Sequence, residues 1–547
     1  MSLNSFLLPQ GSGALSPGLE KASSANSRIF SPAPAIFVLL IAMALAARVL
    51  ACFVLDLNLM ESYGVVVARY PSLSYLDHPP LTWWLIGAAT RLAHSESAIA
   101  VRAPFILLFL GSSWLLYALT GRLSGQRAAL YAVLMFNFSP LFGMWAGALA
   151  LTDGPAVFFT LASLYFLTKI VFEREVRSGV SWRNWLAAGF FFGCALASKY
   201  VAILLLPGLL AFFVSQRDQR GWLLRPHPYV AAAAALLPLL PVLVWNEQHG
   251  WASFLFQGGR AAPGAHLHLA RALRWTGMQI VYLQPAIFLG LVYVLSRGFI
   301  KRANTKALFF CCLAFLPLVF FLIVMAFSSA SLRGFHWGAL GWLVLFPPLG
   351  AYLARMEWRH PAWLKAGIAA VCLSFVLAFA ALTSHAMTGW VADATGLFMK
   401  NVFYKKDPIL VELFDWSDLP AELERRHIGP EHTFLAGKRW EACAKADYVA
   451  EGRYPFLCLS SNNIHFSYIA DPERFRGWDA IIVDLSANLQ QMKASVGSLF
   501  ASIEEEEPIE LTFFGKQLMP LRVYRARDFQ GRFPPGAARA GPAKAGS

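Results

Sequence analysis

Few residues of this chain could do chemistry, and they share a setting. Glu61, Asp77 and Asp153 are carboxylates, and Lys199 and Arg333 are cations, placed in loops or at the ends of long apolar runs. Ionisable groups in such places are costly if they meet lipid and useful if they line a cavity. A carboxylate can take the proton of an attacking hydroxyl, and cations can stabilise the negative charge of a departing phosphate. The set therefore suits group transfer from a phosphate-bearing lipid to a hydroxyl. Each residue also has a plainer reading. Glu61 and Asp77 could be solvated loop carboxylates, Asp153 could cap the helix that begins at Pro155, and Lys199 could snorkel to the membrane interface. His249, His266, His268 and His336 could be interfacial or structural.

The elements that must position these groups are membrane spans. Of 547 residues, 57% are hydrophobic and only 14% charged, which is too apolar for a soluble protein of this size. The apolar runs fill 34–387, whereas 388–528 has soluble composition; the segments 1–33 and 529–547, rich in Ser, Gly, Pro and Ala, are expected to be disordered. At about 20 residues per span, runs near 35–55, 103–119, 128–146, 155–172, 185–198, 200–215, 229–246, 276–296, 307–327, 337–354 and 363–385 predict about eleven spans, with an upper bound of about thirteen. The formal net charge of +14 does not point to nucleic acid, because Lys and Arg are dispersed among short loops. With the N-terminus inside, Arg122, Arg127, Arg217, Arg220, Arg297, Lys301, Lys306, Arg355 and Arg359 all fall on the cytoplasmic side. The loops near 56–101, 147–154, 246–275 and 328–336, together with the C-terminal domain, then face the periplasm. Leu81 to Leu92 is too short for a span and, with Trp83 and Trp84, suits a helix lying in the interface.

The C-terminal domain alternates helix-like stretches, Leu419 to Arg426 and Asn488 to Ser502, with strand-like ones at 456–459, 480–483 and 521–524, which predicts a small α/β domain. Of its cysteines, Cys443 and Cys458 could form a disulfide in an oxidising compartment or stay reduced; spacing does not decide.

Four stretches carry a resemblance. Leu73-Ser74-Tyr75-Leu76-Asp77-His78-Pro79-Pro80-Leu81 with Trp83-Trp84, then Leu151-Thr152-Asp153-Gly154-Pro155, Ala197-Ser198-Lys199-Tyr200, and Val244-Trp245-Asn246-Glu247-Gln248-His249-Gly250-Trp251 occur in that order. Together they resemble the GT-C superfamily of glycosyltransferases, in the bacterial branch related to protein O-mannosyltransferases and lipid A aminoarabinose transferases. The resemblance implies a polytopic α-helical enzyme of the bacterial inner membrane, with its active site and C-terminal α/β domain on the periplasmic side. It implies an inverting transfer of a sugar from a polyprenyl-phosphate carrier to a periplasmic glycan or glycolipid acceptor, such as lipid A or lipopolysaccharide core. Glu61, Asp77 and Asp153 become the candidate catalytic residues. Tyr63, His78, Lys199, Tyr200, His249, Arg333 and His336 become candidate substrate-binding residues, with Lys199 and Arg333 on the phosphate. Asp77 with His249, or with His78, could hold a divalent metal, as in some relatives; no organic cofactor and no nucleic-acid partner are expected. One departure stands out: Met60 occupies the position where the family usually has Asp in an Asp-Glu pair, and only Glu61 is kept. The rival readings are a non-catalytic carrier-lipid-binding relative, which Met60 favours, and a transporter or flippase, which should instead place ionisable groups at mid-span.

Overall fold

In the computed structural model, which describes residues 33–173, 182–261, 266–301, 304–327, 334–388, 416–485, 487–513 and 516–534, the apolar runs fold as helices. Six are long and apolar enough to cross a membrane unbroken: Ala98–Ser124, Asp153–Phe172, His227–Gln248, Thr305–Phe327, Ala339–Arg359 and Pro361–Ser384. Four more spans arise if each bent pair counts once, giving up to ten among the described residues against the expected eleven. The difference is the helix Trp182–Ser198, which has 17 residues.

The bends have local causes. The expected straight span 276–296 instead turns by 110° between Leu269–Leu283 and Pro285–Ile300. Pro285 disfavours helical backbone at the residue before it, and Gln284 accordingly takes an extended ψ of 144°, at a φ of 71°. Its side chain repays the break by donating to the Phe138 carbonyl at 2.8 Å and accepting from Ser374 at 2.9 Å. The expected span 128–146 bends by 63° where Gln126–Asn137 gives way to the π-helix Pro140–Ala146. Arg48, buried in the first apolar helix, satisfies carbonyls freed there, those of Gly143 at 2.6 Å and Asn137 at 3.0 Å. A side chain at Gly143 would collide with the Asn137 carbonyl, so the close approach requires glycine.

The loop near 56–101 is mostly helical: Leu59–Arg69, then Leu81–Ala93 where the interfacial helix was expected. Arg122 with Glu173, Arg127 with Glu357, and Lys306 with the Leu123 carbonyl gather several of the expected cytoplasmic loops at one end of the bundle. The C-terminal domain docks at the end formed by residues 56–96. Lys445 reaches Asp56 at 2.6 Å and the Leu57 carbonyl at 2.6 Å, while Arg69 pairs with both Glu96 and Asp447.

That domain is an α/β fold with a five-stranded sheet in the order β2-β1-β3-β5-β4, where β1 is Thr433–Gly437, β2 Phe456–Cys458, β3 Asp479–Asp484, β4 Ser502–Phe513 and β5 Lys516–Arg527. β1 runs parallel to β2 and β3, and β5 lies antiparallel between β3 and β4. Alternate residues serve two cores: Phe434, Ala480 and Ile482 on one face, Leu435, Ile481 and Val483 on the other. β4 was not foreseen, because Glu504 to Glu507 lack the apolar alternation of a strand; in the sheet Glu505 and Glu506 pair with Arg522 and Arg525 of β5 at 2.7 and 2.6 Å. The expected tail begins too early at 529, since Phe529 is fully buried and Gln530 donates its N–H to Leu499. Cys443 and Cys458 are free thiols whose sulfurs lie 2.8 Å apart in the core. The segments 1–32 and 535–547, and most of 388–415, lie outside the described residues.

Candidate active site

The three candidate carboxylates lie near the docked end of the bundle, in three different environments. Glu61 closes a capping box: the Asn58 side chain accepts from the backbone N–H groups of Met60 and Glu61, and Glu61 in turn accepts from the Asn58 N–H at 3.1 Å. It also takes two hydrogen bonds from Arg102, at 2.6 and 2.8 Å, and the Ala150 N–H at 2.9 Å. Arg102 spends its remaining donors on the carbonyls of Leu55 and Asp56. With four donors on one fully buried carboxylate, Glu61 fastens three segments together and has its lone pairs committed to the protein's own donors.

Asp153 opens the helix Asp153–Phe172 and is paired with Lys199 at 2.6 Å, both buried; Trp145 donates to its second oxygen at 3.2 Å. His336 stacks on Trp145 with ring centres 5.1 Å apart and lies within electrostatic reach of Asp153. The sequence brings these residues together through the break at Lys199, whose extended backbone separates Trp182–Ser198 from the 3-10 turn Tyr200–Leu204. A phosphate could recruit Lys199 only in competition with Asp153. Arg333 lies outside the described residues.

Asp77 is held differently. It is 5% exposed, and its Oδ1 accepts the Tyr63 phenol at 2.6 Å. Its Oδ2 stands 4.0 Å from His78 Nε2, and its backbone carbonyl accepts the side-chain amide of Gln257. Tyr63 is itself fixed by edge contacts with Trp83, Trp440 and Phe466, so helix Leu59–Arg69, helix Leu81–Ala93 and the C-terminal domain all aim that phenol. Tyr200 bonds Ser253 at 2.9 Å and feels the charge of Asp77. His249 stacks on Trp245 with centroids 4.2 Å apart, is hydrogen-bonded through Nδ1 to the Trp245 carbonyl, and meets Tyr468 of the C-terminal domain edge-on.

The structure thus gathers Tyr63, Asp77 and His78 in one group, and Asp153, Lys199 and His336 in another, with Tyr200 within electrostatic reach of the first. Glu61 belongs to a structural knot. Arg102, Trp145 and Gln257 were not foreseen; the only local signal was the Asn58-x-x-Glu61 spacing of a capping box. Among the described residues no group of three or more His, Cys, Asp or Glu side chains is placed to hold a metal ion.

Comparison with known proteins agrees with this architecture. The family model for dolichyl-phosphate-mannose-protein mannosyltransferase matches residues 77–245. Two solved structures of ArnT from Cupriavidus metallidurans share the fold. The apo form has a TM-score of 0.62 at 16% identity, covering 90% of this chain and 98% of that one. The form bound to undecaprenyl phosphate has a TM-score of 0.61 at 15% identity, covering 89% and 97%. The lipopolysaccharide core galacturonosyltransferase RgtB of Rhizobium johnstonii is 30% identical over 230 residues, which is 41% of this chain and 43% of that protein. The aligned part is therefore less than half of that relative.

Proposed function

We propose that this chain is a glycosyltransferase of the GT-C superfamily, related to ArnT and the protein O-mannosyltransferases, and that it moves a sugar from a polyprenyl-phosphate carrier to an envelope glycan on the periplasmic face. The observation that carries this reading is the Asp77 group: a buried carboxylate with one oxygen on a phenol and the other turned to His78, in the loop that opens the family match. Asp77 is the residue best placed to take the acceptor proton as the hydroxyl attacks the anomeric carbon. Tyr63 orients it, and His78 stabilises charge beside it. Lys199 and Arg333 are the proposed phosphate ligands, Lys199 by exchange of Asp153 for phosphate. Undecaprenyl phosphate in an ArnT structure supports a polyprenyl-phosphate donor. The name of RgtB makes galacturonic acid and lipopolysaccharide core the first donor sugar and acceptor to test.

The test is mass spectrometry of envelope glycolipids from cells with and without the gene. A core or lipid A species lacking one hexuronic acid, hexose or pentose in the deletion names sugar and acceptor together; identical glycolipids would remove the reading. Met60 supports a second reading, a relative that binds carrier lipid without transfer, and Met60→Asp separates the two. Gain of transfer would mean a working but weakened site, whereas no gain in an inactive protein favours carrier binding.

A further inference from the structure

The C-terminal domain touches the candidate site through Trp440 and through the short turn Ile464–Tyr468, and that turn is oddly built. Ile464 adopts a φ of 42°, a left-handed conformation in which a β-branched residue is strained. The residue it aims is His465, which is 3% exposed. The imidazole Nδ1 accepts the backbone N–H of Leu76 at 3.1 Å, and Leu76 immediately precedes Asp77. His465 therefore holds the peptide that leads into Asp77, whose carboxylate accepts the Tyr63 phenol at 2.6 Å. Its ring is wedged in place by Tyr75 at 4.7 Å and by Tyr468, which stacks on it at 5.3 Å.

We infer that His465 is a positioning residue for Asp77, so that the C-terminal domain completes the site rather than only covering it. The inference rests on Asp77 being the working carboxylate. Docking of the domain alone does not call for this arrangement, because the ion pairs of Lys445 with Asp56 and of Arg69 with Asp447 supply it elsewhere on the interface. With Nδ1 accepting, the ring proton must sit on Nε2. Burial, and then the charge of His249, lower the imidazole pKa to about 3, so the acceptor persists across the physiological range.

The experiment compares the full-length protein in detergent with His465→Leu, which removes the acceptor, and His465→Asn, whose amide oxygen can occupy the place of Nδ1. Hydrogen exchange of a peptide spanning Ser74 to His78 is read first and does not depend on activity. His465→Leu is expected to lower the protection of the Leu76 amide by about tenfold, while His465→Asn keeps it. Unchanged exchange in His465→Leu would overturn the inference. The second readout is transfer from undecaprenyl-phosphate-galacturonic acid to lipopolysaccharide core. Here kcat should fall on the order of 10–100-fold in His465→Leu with donor KM retained, and His465→Asn should recover most of it. Equal turnover in wild type and His465→Leu would also overturn the positioning role. A wild type without transfer would count against the proposed function alone, and the exchange result would still decide whether His465 holds the Leu76–Asp77 peptide.

Discussion

Glu61 and Asp77 stand 16 positions apart in the same loop region and are both buried carboxylates, yet the structure treats them oppositely. Glu61 faces a bidentate guanidinium and two backbone N–H groups, so its charge is consumed in joining the loop to the helix Ala98–Ser124 and to Ala150. Asp77 faces a phenol and an imidazole, both able to rearrange hydrogen bonds as a proton moves. The lesson is that fixed donors decide role. A carboxylate with every lone pair committed to permanent donors is mortar, whereas one held by exchangeable partners can act as a base.

The comparison breaks most visibly at Arg102. Arg102→Leu strands a buried carboxylate, and breaking such a pair costs about 3–5 kcal/mol. The variant should therefore unfold at much lower temperature in detergent, read by tryptophan fluorescence. Near-native melting would mean Glu61 is not the knot described. A smaller loss is expected at the domain interface. Lys445→Met removes the fully buried partner of Asp56 and the Leu57 carbonyl, which should loosen docking by about 1–3 kcal/mol. Limited proteolysis between the two domains should then accelerate, while the membrane helices stay protected.

Acid sharpens the comparison from the C-terminal side. The folded pKa of His465 is about 3, against about 6.5 for an ordinary histidine. Its contribution to stability is complete above pH 6.5 and is lost as pH falls toward 3, at up to about 1.4 kcal/mol per pH unit. His465→Asn should flatten the part of the pH–stability slope between pH 6 and 4 that this residue supplies. An unaltered slope would assign the acid sensitivity to carboxylates instead. Least affected should be Arg525→Gln at the edge hairpin, where a part-exposed pair with Glu506 is worth about 0.2–1 kcal/mol.

Much of this architecture was legible in the sequence, for stated reasons. Hydropathy found the helices because lipid demands long apolar runs, and Leu81 to Leu92 read correctly as too short to span. The 110° bend at Gln284 was written in Pro285 but masked by the apolar residues around it. β4 was hidden because its Glu run lacks the apolar alternation of a strand and meets Arg522 and Arg525 only in the sheet. Asp77, Tyr63 and His78 were legible as a group because the chain keeps them within one loop. The ion pair of Glu61 was not legible, because its partner Arg102 lies 41 positions away. His465 gave no signal at all, since it is an ordinary histidine in a soluble segment until the fold sets it 389 positions back against Leu76.

The most direct measurement is transfer by purified Asp77→Asn and Glu61→Gln proteins, side by side with wild type, from undecaprenyl-phosphate-galacturonic acid to lipopolysaccharide core, each variant first checked for melting and carrier binding. Asp77→Asn should fold, bind undecaprenyl phosphate as wild type does, and lose about 10²–10⁴-fold in turnover. Glu61→Gln should lose stability, with any folded fraction still active. The contrary result, full turnover by Asp77→Asn alongside a stable, carrier-binding and inactive Glu61→Gln, would move the base to Glu61 and contradict the account.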